Sequence, residues 1–199
     1  KEGDIANCIY IIKEGEVNCV KEGRIIRTLS KGENFGERSI FLDTKRSLDV
    51  IAKTNCICYL ISFDILKTVL GFSYRNVLLH QIIKMAFSKS IYFKDIHLQF
   101  IERILHLFIM KNYNKEEIAY KKGDDLSEIV SVIIDGSLIN KNKEIIGNRA
   151  EILFEQNVFN QGNNILEYDL IVDPDCLICE ADSKEIFKSL RVDNFFVLR

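Results

Sequence analysis

Phe35-Gly36-Glu37-Arg38-Ser39-Ile40-Phe41-Leu42, continuing as Asp43-Thr44-Lys45-Arg46-Ser47, is the stretch on which the reading of this chain turns. Glycine has no Cβ, so the backbone at Gly36 can approach a ligand closely. Arg38 to Leu42 predicts one helical turn, whose free N–H groups would point at an anion. Arg46 then supplies a guanidinium able to close on a phosphate through two charge-assisted hydrogen bonds. Glu37 is suited to the opposite role. A carboxylate only accepts hydrogen bonds, so it fits a ribose hydroxyl and not the phosphate. Read together, these residues predict a site for a small phosphorylated sugar. The plain alternative is a pair of surface charges of little energetic worth. The ordered set of residues inside a strand-rich context argues against it.

The whole chain has 199 residues, enough for one large or two small domains. With 47 % hydrophobic residues and one proline, the chain reads as folded throughout. A net charge of −2 offers no broad basic surface for nucleic acid or an acidic membrane. Asp135 interrupts the most apolar run, Val130 to Ile139, so no membrane span is expected. A charged-then-apolar leader and Asn-x-Ser/Thr sites are both missing, which predicts a cytoplasmic location. Of the six cysteines, Cys56-Ile57-Cys58 and Cys176-Leu177-Ile178-Cys179 have metal-like spacing. Both pairs sit in apolar strand-like runs with no histidine nearby, so reduced cysteines packed as small hydrophobes are expected, and no metal.

The chain also repeats itself. Lys1-Glu2-Gly3-Asp4 returns as Lys121-Lys122-Gly123-Asp124, and Thr54-Asn55-Cys56-Ile57 corresponds to Pro174-Asp175-Cys176-Leu177. The period of about 120 residues suits tandem domains, not a solenoid. Each copy opens with short strands punctuated by glycines, as in an all-β roll or barrel. Between them, Leu66, Val69 and Leu70, then Leu78, Ile82 and Ala86, then Ile101, Ile104 and Leu105 recur at helical spacing. Two domains are expected, residues 1–88 and 89–199.

Phe35-Gly36-Glu37 through Val50 resembles the phosphate-binding cassette of cyclic-nucleotide-binding domains. The resemblance implies a mainly β fold with helices, as tandem jelly-roll barrels each flanked by helices, and a chain that starts inside the first copy. It also implies that Glu37 takes the ribose 2′-hydroxyl, while Arg46 and the backbone around Gly36 and Ser39 take the cyclic phosphate. In the second copy the Arg46 slot falls on Leu166, Ser47 becomes Glu167 and Asn157 falls where Glu37 would. Leucine cannot neutralise a phosphate and glutamate would repel one, so this second pocket is expected to be degenerate.

Guanine presents two acceptors on one edge that an arginine can grip. Arg27 leads into the cassette and resembles the base-reading arginine of cGMP-dependent protein kinases. Ser47 stands where those kinases carry threonine or serine. The pair favours cGMP as ligand over cAMP. Leu48 and Asp49 follow where small residues are usual, and are expected to crowd the phosphate turn and set a negative charge beside it. The chain as a whole resembles the regulatory region of a cGMP-dependent protein kinase of the apicomplexan type. The implied partner is a kinase catalytic domain in the same polypeptide, controlled by differential affinity for two conformations. Phe72, Tyr74, Arg75 and Tyr92 are candidates to cover the bound base.

Three other readings stand beside this one: a non-ligand scaffold, a cAMP-binding regulatory subunit, and a transcription regulator sharing the sensor fold. The last would need a basic helix-turn-helix after the barrel, where a second barrel follows instead. An enzyme is disfavoured: no kinase motif is present, and His80, His97 and His106 all lie in the helical connector without a neighbouring nucleophile.

Overall fold

The runs rich in Ile, Val, Tyr and Cys become strands because branched and aromatic side chains pack well on a pleated surface. In the computed structural model, which describes residues 1–159 and 164–191, the first such run is β1 (Cys8–Glu14). It is followed by β2 (Val17–Lys21), β3 (Arg24–Leu29) and β4 (Asn34–Phe35). Helix α1 (Arg38–Leu42) interrupts the strands, and β5 (Asp49–Ala52) and β6 (Ile57–Ser62) complete them. They form two antiparallel sheets, ordered β4-β1-β6 and β3-β2-β5. Ile12, Val17, Cys19 and Leu29 fill the space between the sheets, with Leu48 and Val50 packed against them.

Helix α2 (Phe63–Leu70) starts where Ser62 caps it, the Oγ accepting from the Ile65 N–H at 3.2 Å. Leu66 is buried against Ile9 and Ile40. Val69, expected on the same stripe, is 73 % exposed, because the burying face runs through Leu66 and Leu70. Helix α3 (Tyr74–Lys89) follows. The chain divides into two compact units, residues 1–78 and 79–199.

In the second unit, Ile82, Ile83, Ala86 and Phe87 of α3 are buried. Phe87 meets Phe93 at 4.9 Å and Phe108 edge-on at 6.0 Å. Helix α4 (Leu98–Ile104) leads to β7 (Ile109–Tyr113), β8 (Ile118–Tyr120), β9 (Ile129–Asp135) and β10 (Ser137–Ile139). Then come β11 (Ile145–Asn148), β12 (Ile152–Leu153), β13 (Leu170–Val172), β14 (Cys176–Asp182) and α5 (Ser183–Arg191). The sheets run β12-β9-β14-β7 and β11-β10-β13-β8. Each unit is thus a two-sheet jelly roll with flanking helices, and the fold is mainly β with α.

The repeat survives in the hydrogen bonds. The Gly3 N–H donates to the Arg46 carbonyl at 2.8 Å and the Arg46 N–H to the Asp4 carbonyl at 2.9 Å. Gly123 with Leu166, and Leu166 with Asp124, repeat the pair at 2.9 and 3.0 Å. The second unit has two strands, β7 and β8, on edges that β6 and β5 leave unpaired among the described residues of the first. On β6 this leaves Ile57, Tyr59 and Leu60 facing solvent.

All six cysteines are free, and Cys8, Cys19, Cys176 and Cys179 are buried. Among the described residues, no group of His, Cys, Asp and Glu has the makings of a metal site, and no helix is long and apolar enough to cross a membrane.

Candidate functional site

Gly36 adopts φ +91°, a conformation costly for any residue with a Cβ. The turn brings its carbonyl to the Arg46 guanidinium, whose Nη1 donates to it at 3.0 Å. A Cβ at Gly36 would overlap that same Nη1, so the glycine is what lets the arginine in. The other arm, Nη2, donates to the Cys8 carbonyl at 2.6 Å and lies 3.5 Å from the Cys8 Sγ. The guanidinium carbon stands 5.8 Å from the centre of the Tyr10 ring. Arg46 is therefore fixed at both its backbone and its head, and is half-buried.

Glu37 is only 2 % exposed although it is a carboxylate. It holds the position before α1, where its carbonyl accepts from the Ile40 N–H at 2.9 Å. An acid there is favoured by the positive end of the helix. Ser39 is buried, and its Oγ donates to the Lys45 carbonyl at 3.4 Å, bracing the loop between α1 and Arg46. Arg27 pairs with Cys19 across the β2–β3 ladder. Directly paired residues share a face of the sheet, so Arg27 lies on the inner face with Cys19 and is half-buried. Ser47 is half-buried directly after Arg46.

The structure thus joins Gly36, Ser39 and Arg46 in one loop and sets Arg27 on the inner face of the neighbouring sheet. Cys8 and Tyr10 were not foreseen. Only the pairing of β1 with β4, Tyr10 opposite Phe35, carries them to the cassette.

One expectation of this loop needs correction, and the neighbouring candidates can be placed. Leu48 does not crowd the phosphate turn; it packs against the Ile12–Leu29 core, as its apolar side chain demands. Asp49 is occupied by the backbone, its Oδ1 accepting from the Glu2 N–H at 2.8 Å, and Asp169 accepts from the Lys122 N–H in the same way. Among the cover candidates, Tyr74 is buried beside Ile40, and Arg75 is ion-paired with Asp43, the residue that ends α1. Tyr92 is stacked on Phe159 at 5.7 Å. The side chain of Phe72 lies outside what the structure describes.

In the second unit, Leu166 occupies the Arg46 slot, as the shared hydrogen bonds with the Gly-Asp pair show. Asn157 does not occupy that of Glu37. Phe35 of β4 pairs with Tyr10, and Leu153 of β12 pairs with Ser131. Gly36 therefore corresponds to Phe154, which likewise has positive φ at +62°, and Glu37 corresponds to Glu155. Loops of different length between the copies shift the count by two residues. Asn157 is instead a buried brace whose Nδ2 donates to the carbonyls of Leu126 and Ile129.

The exchange is concerted: the pair Gly36 and Arg46 becomes Phe154 and Leu166, both packed against the core around Tyr120 and Leu138. Phe154 meets Tyr120 edge-on at 5.3 Å. The retained carboxylate, Glu155, accepts a hydrogen bond from Ser90 Oγ. Deeper in this barrel, Glu180 accepts from Tyr120 at 2.8 Å and from Lys111 at 2.6 Å. Burial, then the Glu180 carboxylate beside it, pushes the Tyr120 phenol above its usual range; the hydrogen bond from Lys111 to Glu180 raises the Lys111 ammonium.

A sequence model described as the cyclic nucleotide-binding domain matches residues 1–71. The cGMP-dependent protein kinase of Plasmodium berghei (strain Anka) is 30 % identical over 164 residues, which are 81 % of this chain and 19 % of that protein. That of Eimeria tenella is 30 % identical over 118 residues, 59 % of this chain and 12 % of that protein. The chain spans a fifth or less of the length of these curated relatives. Among solved structures, the regulatory domain of Toxoplasma gondii PKA with cAMP shares 17 % identity at a TM-score of 0.45, over 96 % of this chain and 76 % of that one. That score is too low to add to what the topology shows. With the cassette, the two-sheet roll and the sequence match in agreement, residues 1–71 belong to the cyclic nucleotide-binding domain family, in a chain that resembles the regulatory region of cGMP-dependent protein kinases.

Proposed function

We infer that the first domain, residues 1–88, is a cGMP sensor that controls an attached Ser/Thr kinase domain, and that the second, 89–199, keeps the fold without binding a nucleotide. The observation that carries this is the guanidinium of Arg46 held at the Gly36 turn, in the same cassette as the buried Glu37. A cyclic phosphate would take the place of the two backbone carbonyls on Arg46, and the ribose 2′-hydroxyl would donate to Glu37. Arg27 and Ser47 would select guanine over adenine.

The signal would leave through α1. Its Ile40 is packed on Leu66 and Tyr74, and its last turn is tied to Arg75 through Asp43. A shift of α1 on binding would therefore be felt by α2 and the start of α3. Such coupling is only as large as the ligand's differential affinity for the two arrangements. The cytoplasm is the fitting compartment for this role.

Calorimetric titration of the chain with cGMP and with cAMP tests the reading. One cGMP bound per chain, more tightly than cAMP and lost in Arg46→Ala, is expected. No binding of either nucleotide would leave the scaffold reading, and tighter binding of cAMP would leave that of a cAMP-dependent regulatory subunit.

A further inference from the structure

Tyr10 has no part in the cassette as the sequence presents it, yet its ring stands beneath the phosphate-binding arginine. The ring stacks on Phe35 with centroids 4.9 Å apart and planes within 12°. Phe35 immediately precedes the Gly36 turn, so the stack fixes the ring against the same loop that receives Arg46. The guanidinium lies 5.8 Å from the ring centre, within the range over which the negative face of an aromatic ring attracts a cation. The two carbonyls on Arg46, from Gly36 and Cys8, hold the edge of the guanidinium, and Tyr10 supplies its face. A phosphate that displaced those carbonyls would leave the ring contact in place.

The second unit provides an independent observation. Its residue in the register position of Tyr10 is Ser131, opposite Leu153 as Tyr10 is opposite Phe35. Where the arginine became Leu166, the ring beneath it is gone as well, while the carboxylate was kept as Glu155. Strand packing alone does not require this difference, since both positions lie in the same ladder of the same roll. The ring accompanies the cation.

We propose that Tyr10 is a positioning residue, whose aromatic face holds the Arg46 guanidinium in place to receive the phosphate of the ligand. This rests on the reading of the first domain as a nucleotide sensor. The test is calorimetric titration of the whole chain with cGMP in five forms: wild type, Arg46→Ala, Tyr10→Phe, Tyr10→Leu, and a ring-fluorinated phenylalanine at position 10.

Tyr10→Phe should bind within about twofold of wild type, because the ring face remains. Tyr10→Leu and the fluorinated ring should each bind about 5- to 30-fold more weakly, the fluorinated residue having the shape of phenylalanine without its electron-rich face. Equal affinity of the phenylalanine and fluorinated forms overturns the proposal, whatever Tyr10→Leu does to folding. If wild type binds and Arg46→Ala does not, that result leaves the sensor reading standing. If wild type binds no cyclic nucleotide, both fall.

Discussion

Replacing Gly36 by alanine separates backbone strain from ligand chemistry, because the chain supplies its own control. Gly36 and Gly32 have nearly the same φ, +91° and +90°. A Cβ at Gly32 would meet nothing within 4 Å, whereas one at Gly36 would overlap Arg46 Nη1. Forcing an alanine into the left-handed region costs about 1–2 kcal/mol, partly offset by the lower entropy of the unfolded chain. Both variants should therefore lose about 1 kcal/mol, a fall of roughly 4–8 °C in the melting temperature of a unit of this size.

The difference between the two variants lies in binding. The obstructing atom at Gly36 is the far end of a flexible side chain, so the guanidinium can swing away at little cost to folding. It then leaves the place where a phosphate would meet it. Losing one hydrogen bond to a charged group costs about 1.5–3 kcal/mol, or about 10- to 150-fold in cGMP affinity. Thermal unfolding followed by calorimetry on both variants should give matched melting temperatures and unmatched affinities. Equal cGMP affinity in Gly36→Ala and Gly32→Ala would show that the geometry of Arg46 at the turn has no part in binding.

Arg27→Ala and Ser47→Ala should each weaken cGMP more than cAMP, by about 1–3 kcal/mol where a bidentate base contact is lost; equal losses for both nucleotides in the same titrations would show that neither residue reads the base. Leu166→Arg should leave the stoichiometry at one nucleotide per chain and lower the melting temperature, since it sets a charge against the apolar core beside Phe154; a second equivalent of cGMP would refute this. Burial pushes the Cys179 thiol up to about 12, whereas an unfolded cysteine ionises near 8.5. Between these values the folded state holds a proton that the unfolded state has released, so stability should fall as pH rises, by about 1.4 kcal/mol per unit from this residue. Urea unfolding of wild type and Cys179→Ala between about pH 8 and 10.5 should show a shallower decline in the variant, and parallel curves would show that Cys179 is not protected.

The cassette was legible because its chemistry is local. Gly36, Glu37, the turn Arg38 to Leu42 and Arg46 lie within one short stretch, and hydrogen-bonding capacity assigns each a role without knowledge of the rest of the chain. The tandem plan was legible too, since the Gly-Asp pairs recur with their spacing to Arg46 and Leu166 preserved.

Register was not legible. Counting along the sequence put Asn157 in the Glu37 slot, because loop lengths differ between the copies and a count has no means of absorbing them. Strand pairing has: a residue's partner is set by ladder hydrogen bonds, which put Leu153 opposite Ser131 and so Glu155 in that place. The inward turn of Leu48 and the arrival of Tyr10 and Cys8 beside Arg46 have the same origin. By itself the sequence determined which chemical groups the cassette segment offers, since these are properties of single residues. Only the tertiary structure decided which groups face one another, because that depends on which strands pair and on which side of a sheet each residue falls.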